Sequence, residues 1–190
     1  MMVYVHGFNS SAHSYKAGVL GAHLARLGLA AEYACPELAH RPAQAIAQLR
    51  ALVAAREPRE VTLVGSSLGG YYATWLAENL GMRAVLVNPA VRPYELLAPC
   101  VGPQTNLYTG AKYEFTPRHV DELRALEVDH ITPQRYLLIA ASGDEVLDYR
   151  DAVRRYAGCE QIIIAGSDHG LREFTDHLDT VVSFWQRGRV

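Results

Sequence analysis

The chain has little of anything that would fasten it covalently or to a metal. Only 3 of its 190 residues are cysteine, and Cys35, Cys100 and Cys159 are widely spaced with no C-x-x-C pair. An odd, scattered set excludes a disulfide framework and a zinc ribbon and fits reduced thiols packed as small buried residues. No charge of one sign dominates either: 18 Lys and Arg face 20 Asp and Glu, for a formal net charge of −2. That balance supplies no basic field, so no nucleic-acid partner is expected. No apolar run is long enough to span a membrane. Met1 to Gly7 lacks the charged start and apolar segment of a secretory signal, so cytoplasmic residence is expected. Repeats, low-complexity tracts and interdomain linkers are missing as well, which reads as one domain over residues 1–190. A chain of this length buries roughly 70% of its unfolded surface. It needs no cofactor or metal as a staple, and none is expected. Nothing in the pattern specifies an oligomeric state.

What is present is a series of short apolar runs, at 2–5, 31–34, 61–64, 84–87, 136–141 and 161–165. Most lack period-two alternation, the pattern of strands covered on both faces. Helix-like stretches near 13–27, 43–56, 68–80, 149–157 and 171–187 separate them. Pro42 opens the second of these, Gly81 closes the third, and Asp148 is placed to cap the one that begins near Tyr149. The alternation predicts an α/β fold of about six mostly parallel strands with helices on both faces. One interval breaks the rhythm. Residues 91–135 carry Pro93, Pro99, Pro103, Pro117 and Pro133 among Tyr94, Leu96, Leu97, Tyr108, Tyr113 and Phe115, and are too long for a plain connection. With a short helix at 118–127, the stretch reads as a lid-like insertion or pocket wall; the alternative is a surface loop that its aromatics pack down. As a pocket wall, those aromatics would suit an apolar acyl group.

The run at 61–64 breaks into Gly65-Ser66-Ser67-Leu68-Gly69 and leads straight into a helix-like stretch. A G-x-S-x-G with a buried strand before it and a helix after it is a nucleophile elbow, with glycines where side chains would collide with a sharp reversal. Ser67 is the candidate nucleophile. A serine hydroxyl is weakly nucleophilic near neutral pH, so it needs a histidine to take its proton and a carboxylate to orient that imidazole. Asp144 follows the fifth run and His169 the sixth, so Ser67, Asp144 and His169 arrive in the order Ser, acid, His, each beyond a strand end. His6 also follows a strand, but it precedes the elbow and suits a structural or substrate-facing post. His13, His23, His119 and His177 fall in predicted helices, and His40 and His130 in loops, all read as surface. Glu145, Asp148 and Asp168 compete with Asp144: Asp148 is explained as a helix cap, and Asp168, adjacent to the histidine, as a surface or loop-bonding residue. The oxyanion needs two N–H donors. Leu68 supplies one by position, and the loop His6-Gly7-Phe8-Asn9-Ser10-Ser11 offers the N–H of Phe8 as the other.

With those stretches, Tyr71 to Trp75 after the elbow, Val87 to Pro93, Tyr108-Thr109-Gly110 and Gly143 to Tyr149, the chain resembles the small YqiA/YcfP-like esterase family of the α/β-hydrolase superfamily, nearly end to end. The resemblance implies a reduced α/β-hydrolase fold without the two antiparallel strands that open larger members. It also implies a serine esterase or thioesterase with Ser67 as nucleophile, Asp144 as acid and His169 as base. Asp168 and Leu171 stand where the family tends to have an asparagine and an aromatic. The expected partner is thus a small-molecule acyl ester or acyl thioester. An acyltransferase using the same three residues, and a non-catalytic binding protein on the same fold, are the alternatives; no paired phosphate-binding residues or basic cluster near the elbow proves a CoA site, so ester versus thioester stays open.

Overall fold

Aliphatic and β-branched runs that lack alternation can be buried only between two layers, and the computed structural model, which describes residues 1–188, builds them that way. The last two positions of the expected 1–190 unit lie outside the described residues. In chain order the elements begin with β1 (Met2–Val5), α1 (Tyr15–Arg26), β2 (Tyr33–Ala34), α2 (Pro42–Val53) and β3 (Thr62–Ser66). They continue with α3 (Leu68–Leu80), β4 (Arg83–Val87), α4 (Pro93–Leu97), β5 (Gly102–Thr105), β6 (Lys112–Phe115) and α5 (Pro117–Arg124). β7 (Tyr136–Ala141), α6 (Tyr149–Arg155), β8 (Glu160–Ile164) and α7 (Leu178–Arg187) complete the set.

The six expected strands form one wholly parallel sheet in the order β2-β1-β3-β4-β7-β8. Alternate residues of each strand feed opposite layers. Val3, Val5, Leu63, Leu86 and Leu138 join α2, α3 and α6 on one face. Met2, Tyr4, Val64, Val87 and Ile139 join α1 and α7 on the other. Truncating a fully buried core leucine such as Leu138 to alanine should cost about 2–5 kcal/mol.

The helix signals act where expected. Pro42 is the first residue of α2, Gly81 takes the left-handed cap of α3 at φ 77°, and the Asp148 carboxylate accepts the Arg150 N–H at 2.9 Å. Two ranges differ. The run at 31–34 contributes only Tyr33–Ala34, because residues 30–32 turn as a 3₁₀ segment at the sheet edge. The stretch at 171–187 begins as a 3₁₀ segment, Arg172–His177, before becoming α7.

Residues 91–135 hold more structure than the single short helix read there. α4 comes first, then β5 and β6 pair as an antiparallel hairpin, then α5. Tyr94, Leu97 and Phe115 are buried in the layer shared with α3 and fasten the segment to the core. Tyr108 and Tyr113 stay at the edge where the strands end. No helix among the described residues is long and apolar enough to cross a membrane.

The chain leaves β1 toward β2 and returns to place β3 on the other side of β1. Loops following β1 and β3 therefore diverge at the carboxyl edge of the sheet and open a crevice there, the position where open parallel sheets hold ligands.

Candidate active site

Ser67 stands at the end of β3 with φ 54° and ψ −121°, a strained backbone that costs about 1–3 kcal/mol and persists only when its surroundings enforce it. They do so through hydrogen bonds. The Ser67 N–H donates to Val87 O at 3.0 Å, and Ser67 O accepts from Gly70 N at 2.9 Å and Ala90 N at 3.1 Å. The elbow glycines are needed, one for the turn and one for a neighbour. A Cβ on Gly65 would lie 2.4 Å from Gly69 O, inside the turn itself, while one on Gly69 would lie 1.9 Å from Val5 O on adjacent β1. Close approach of α3 to β1, not only the sharp reversal, fixes the second glycine.

The Asp144 and His169 side chains meet. His169 Nδ1 lies 2.8 Å from Asp144 Oδ2, with the carboxylate 2% and the imidazole 24% exposed. The other oxygen, Asp144 Oδ1, accepts the N–H groups of Val146 at 2.8 Å and Leu147 at 2.9 Å. Burial pushes the carboxyl upward, but the hydrogen bonds from His169, Leu147 and Val146 and the nearby His169 charge outweigh it. The net effect holds Asp144 below the usual carboxylate range. The two loops are also joined through their backbones: Gly143 N–H donates to Ser167 O at 3.1 Å, and a Cβ on Gly143 would sit 2.9 Å from that oxygen.

The rival residues have other partners. Glu145 Oε2 accepts the backbone N–H of His169 at 3.0 Å, and Asp168 Oδ1 accepts that of Leu171 at 3.0 Å. His6 is buried, with Nε2 accepting the Leu38 N–H at 3.1 Å, which leaves the proton on Nδ1, 3.1 Å from Gly7 O. Burial, partly offset by the Gly7 carbonyl and by Glu37, lowers its pKa. His119 is not on the surface. It is buried, and its Nδ1 accepts the Thr116 N–H at 3.0 Å as part of a capping box that starts α5. His13 lies in the turn before α1, outside any helix, and His23 pairs with Asp179 at 2.9 Å.

Ser67 and His169 open onto one cavity of about 370 Å³ that also meets Gly7, Phe8, Lys16, Tyr108 and Arg172. Leu68 is the first residue of α3, so its N–H has no partner within the helix. Phe8 lies across from it, its ring packed edge-on against Phe115 at 5.4 Å, and a Cβ on Gly7 would come within 3.2 Å of Ser67 Cβ. Both Phe8 and Leu68 line a second, narrower cleft of about 40 Å³ with Tyr72 and Tyr113.

Several contributors were not singled out from the sequence. Asn88 follows β4 in a left-handed conformation at φ 42°. Its Oδ1 accepts the Ala141 N–H at 2.8 Å, and its Nδ2 donates to Asp168 O at 3.3 Å and His169 O at 3.2 Å. One amide thus links the ends of β4 and β7 to the histidine loop. Lys16 Nζ donates to Gly170 O at 2.8 Å and His169 O at 3.4 Å. The hairpin grips the Phe8 loop: Tyr113 OH donates to Asn9 Oδ1 at 2.7 Å, Asn9 Nδ2 to Gln104 Oε1 at 3.0 Å, and Asn106 Nδ2 to Ser10 O at 2.8 Å. A short polar residue directly after an apolar strand was the only sequence signal for Asn88.

With this geometry in hand, similarity to known proteins acquires meaning. A family model described as an uncharacterised protein family, UPF0227, matches residues 1–186. The chain belongs to that family. UPF0227 is the YqiA/YcfP-like group that the sequence resembles. Among solved structures, a provisionally named hydrolase of Agrobacterium vitis S4 superposes with a TM-score of 0.76 at 17% identity, covering 97% of this chain and 87% of that one. The esterase domain of a Rhodothermus marinus protein gives 0.70 at 15% identity, covering 98% and 86%. Mouse alpha/beta hydrolase domain-containing protein 10 gives 0.67 at 15% identity, covering 96% and 89%. At these identities the likeness is one of fold, and the fold of this UPF0227 member is that of the α/β-hydrolases.

Proposed function

We propose that this UPF0227 member is a serine hydrolase of carboxylic esters or acyl thioesters. The observation that carries the reading is the 2.8 Å contact between Asp144 and His169 beside a cavity shared by His169 and a strained Ser67. In the proposed reaction His169 takes the Ser67 proton as Oγ attacks the substrate carbonyl, and Asp144 holds the ring in the required tautomer while stabilising its charge. The N–H groups of Phe8 and Leu68 receive the oxyanion, each contributing about 3 kcal/mol of transition-state stabilisation in comparable sites. Collapse of the tetrahedral intermediate breaks the bond to the leaving oxygen or sulfur, which takes the proton from His169 and leaves an acyl-Ser67. Water, deprotonated by His169, then attacks the acyl group, and the acid and free Ser67 are released.

The test pairs a fluorophosphonate probe with turnover. Folded protein should label at Ser67 and hydrolyse short p-nitrophenyl esters or acyl-CoA, and Ser67→Ala should lose both. Rates across an ester and acyl-CoA chain-length series that match the Ser67→Ala control would leave a binding protein as the better reading. A labelled Ser67 whose acyl group passes to an added alcohol or amine in preference to water would indicate an acyltransferase.

A further inference from the structure

The cavity that holds Ser67 and His169 has a charge of one sign. Lys16 and Arg172 line it, and none of its lining residues is an Asp or Glu. Among the described residues neither cation has a carboxylate within 4.0 Å. Lys16 belongs to the first turn of α1, which holds no acidic residue, so its charge adds to the positive end of the helix dipole instead of opposing it. A helix gains nothing for its own stability from that arrangement. Asp168 and Asp144 act on Lys16 through space, but each is hydrogen-bonded elsewhere: Asp144 to His169 and Asp168 to the Leu171 N–H. Beyond these cations, the walls carry hydroxyls such as those of Ser10, Ser14, Tyr15 and Tyr108, and Phe8 is the lone side chain without a polar atom. Of the aromatics of 91–135 that suggested an apolar acyl group, Tyr108 alone lines this cavity; Tyr94 and Phe115 are buried in the core and Tyr113 lines the narrower cleft. At about 370 Å³ the cavity sits at the small end of ligand pockets, which run from about 300 to 1,000 Å³.

The side of the reaction on which these charges stand follows from proton transfer. His169 must return its proton to the leaving atom, so the leaving group lies on the His169 side of Ser67. Lys16 is bonded to the carbonyls of His169 and Gly170, and Arg172 follows two residues later. Building on the hydrolase reading, we propose that the leaving alcohol or thiol carries a compact oxyanion, a carboxylate or a phosphate, received by Lys16 and Arg172. Two of the three Lys16 N–H groups are engaged by backbone carbonyls, which aims the third, while exposed Arg172 closes on the anion from the rim.

The experiment compares esters of similar size that differ in charge. O-butanoylglycolate is set against neutral O-butanoylglycolamide, 2-phosphoethyl butanoate against its dimethyl phosphate triester, and monopropyl succinate, whose carboxylate lies on the acyl side, against propyl butanoate. The expected kcat/KM ratio of anionic to neutral ester is about tenfold or more for at least one of the first two pairs, and near one for the third. Preference in the first pair alone identifies a carboxylate, and in the second alone a phosphate. In Lys16→Met/Arg172→Met the preferred ratio should fall by about tenfold. Because each ratio is taken within one protein sample, loss of folded enzyme cancels, and so does general damage from releasing the His169 loop. Ratios near one in both leaving-side pairs, a larger ratio for the succinate pair, or a preference that survives the double variant would overturn the proposal while leaving the hydrolase reading intact. Absence of any turnover above the Ser67→Ala control would remove both.

Discussion

The Tyr113 phenol donates to Asn9 Oδ1 at 2.7 Å, so the hairpin of residues 102–115 is hydrogen-bonded to the loop that presents Phe8. Asn9 has a φ of 52°, and its amide is held on the other side by Gln104. A loop that must aim a backbone N–H before the oxyanion forms needs such fixation, because a displacement of about 1 Å can cost two orders of magnitude in rate. Tyr113→Phe keeps the ring that stacks on His40 at 4.3 Å and deletes only the donor. The expected result is a fall in kcat of about tenfold with little change in thermal midpoint, read by ester turnover beside a circular-dichroism melt. An unchanged kcat would mean that the hairpin does not set the Phe8 donor.

Asn88 performs a comparable task for the His169 loop. Its side chain satisfies Ala141 N–H and the carbonyls of Asp168 and His169, and it is buried at 4% exposure. Asn88→Asp keeps the shape but turns a donor into an acceptor against two carbonyl oxygens. A stability loss of about 1–3 kcal/mol is expected. Fluorophosphonate labelling of Ser67, corrected for the folded fraction, should also slow, since His169 then loses one of its backbone anchors. Labelling that tracks the folded fraction alone would confine Asn88 to stability.

Much of this arrangement is readable from the chain, for physical reasons that differ by element. The four central strands announce themselves because burial on both faces removes alternation, as in Leu137-Leu138-Ile139-Ala140-Ala141, every residue of which is buried, whereas the edge strands β2 and β8 are only partly covered. The candidates Ser67, Asp144 and His169 are legible because acyl-transfer chemistry through a serine calls for those types after those strands. β5 and β6 are not, because Gly102-Pro103-Gln104-Thr105 has neither the apolar content nor the β-branching of a buried strand. It pairs with one partner only and alternates half-buried with exposed. Lys16 and Arg172 are 156 positions apart and come to line one cavity only through packing of α1 against the segment before α7, so no local pattern could pair them. Asn88 is unreadable for the same reason, since its three partners come from β7 and the histidine loop.

Asp144 makes a pH prediction whose sign is fixed by its environment. Its carboxyl titrates below the ordinary carboxylate range in the folded protein and at about 3.9 when unfolded. A depressed folded pKa contributes stability that is present above the unfolded value and is lost as pH falls through the folded one. Denaturant midpoints should therefore drop as pH is lowered below about 4. Asp144→Asn should flatten that part of the profile and lower kcat by about 10⁴, because an amide favours the wrong imidazole tautomer. Equal acid sensitivity in the two proteins would assign the slope to other carboxylates, among them Glu78 and Glu122, which are also held low.

Two glycines should respond in opposite directions to the same added methyl group. Gly18 lies inside α1 with nothing within 4 Å of a Cβ built upon it, and it is exposed. Gly18→Ala removes a flexible residue from a helix interior and should stabilise by about 0.5–1 kcal/mol, a rise of about 2–4 °C or less in thermal midpoint. Gly69→Ala would push a Cβ to 1.9 Å from Val5 O and 2.7 Å from His6 O, both backbone atoms that cannot rotate away. The elbow would then have to separate from β1, and with it from the loop bearing Phe8. Loss of Ser67 labelling together with a large fall in midpoint is the expected outcome. If Gly69→Ala instead melted like the parent and labelled at the same rate, close approach of α3 to β1 would not be what positions Ser67, and the strain at its φ of 54° would need another source.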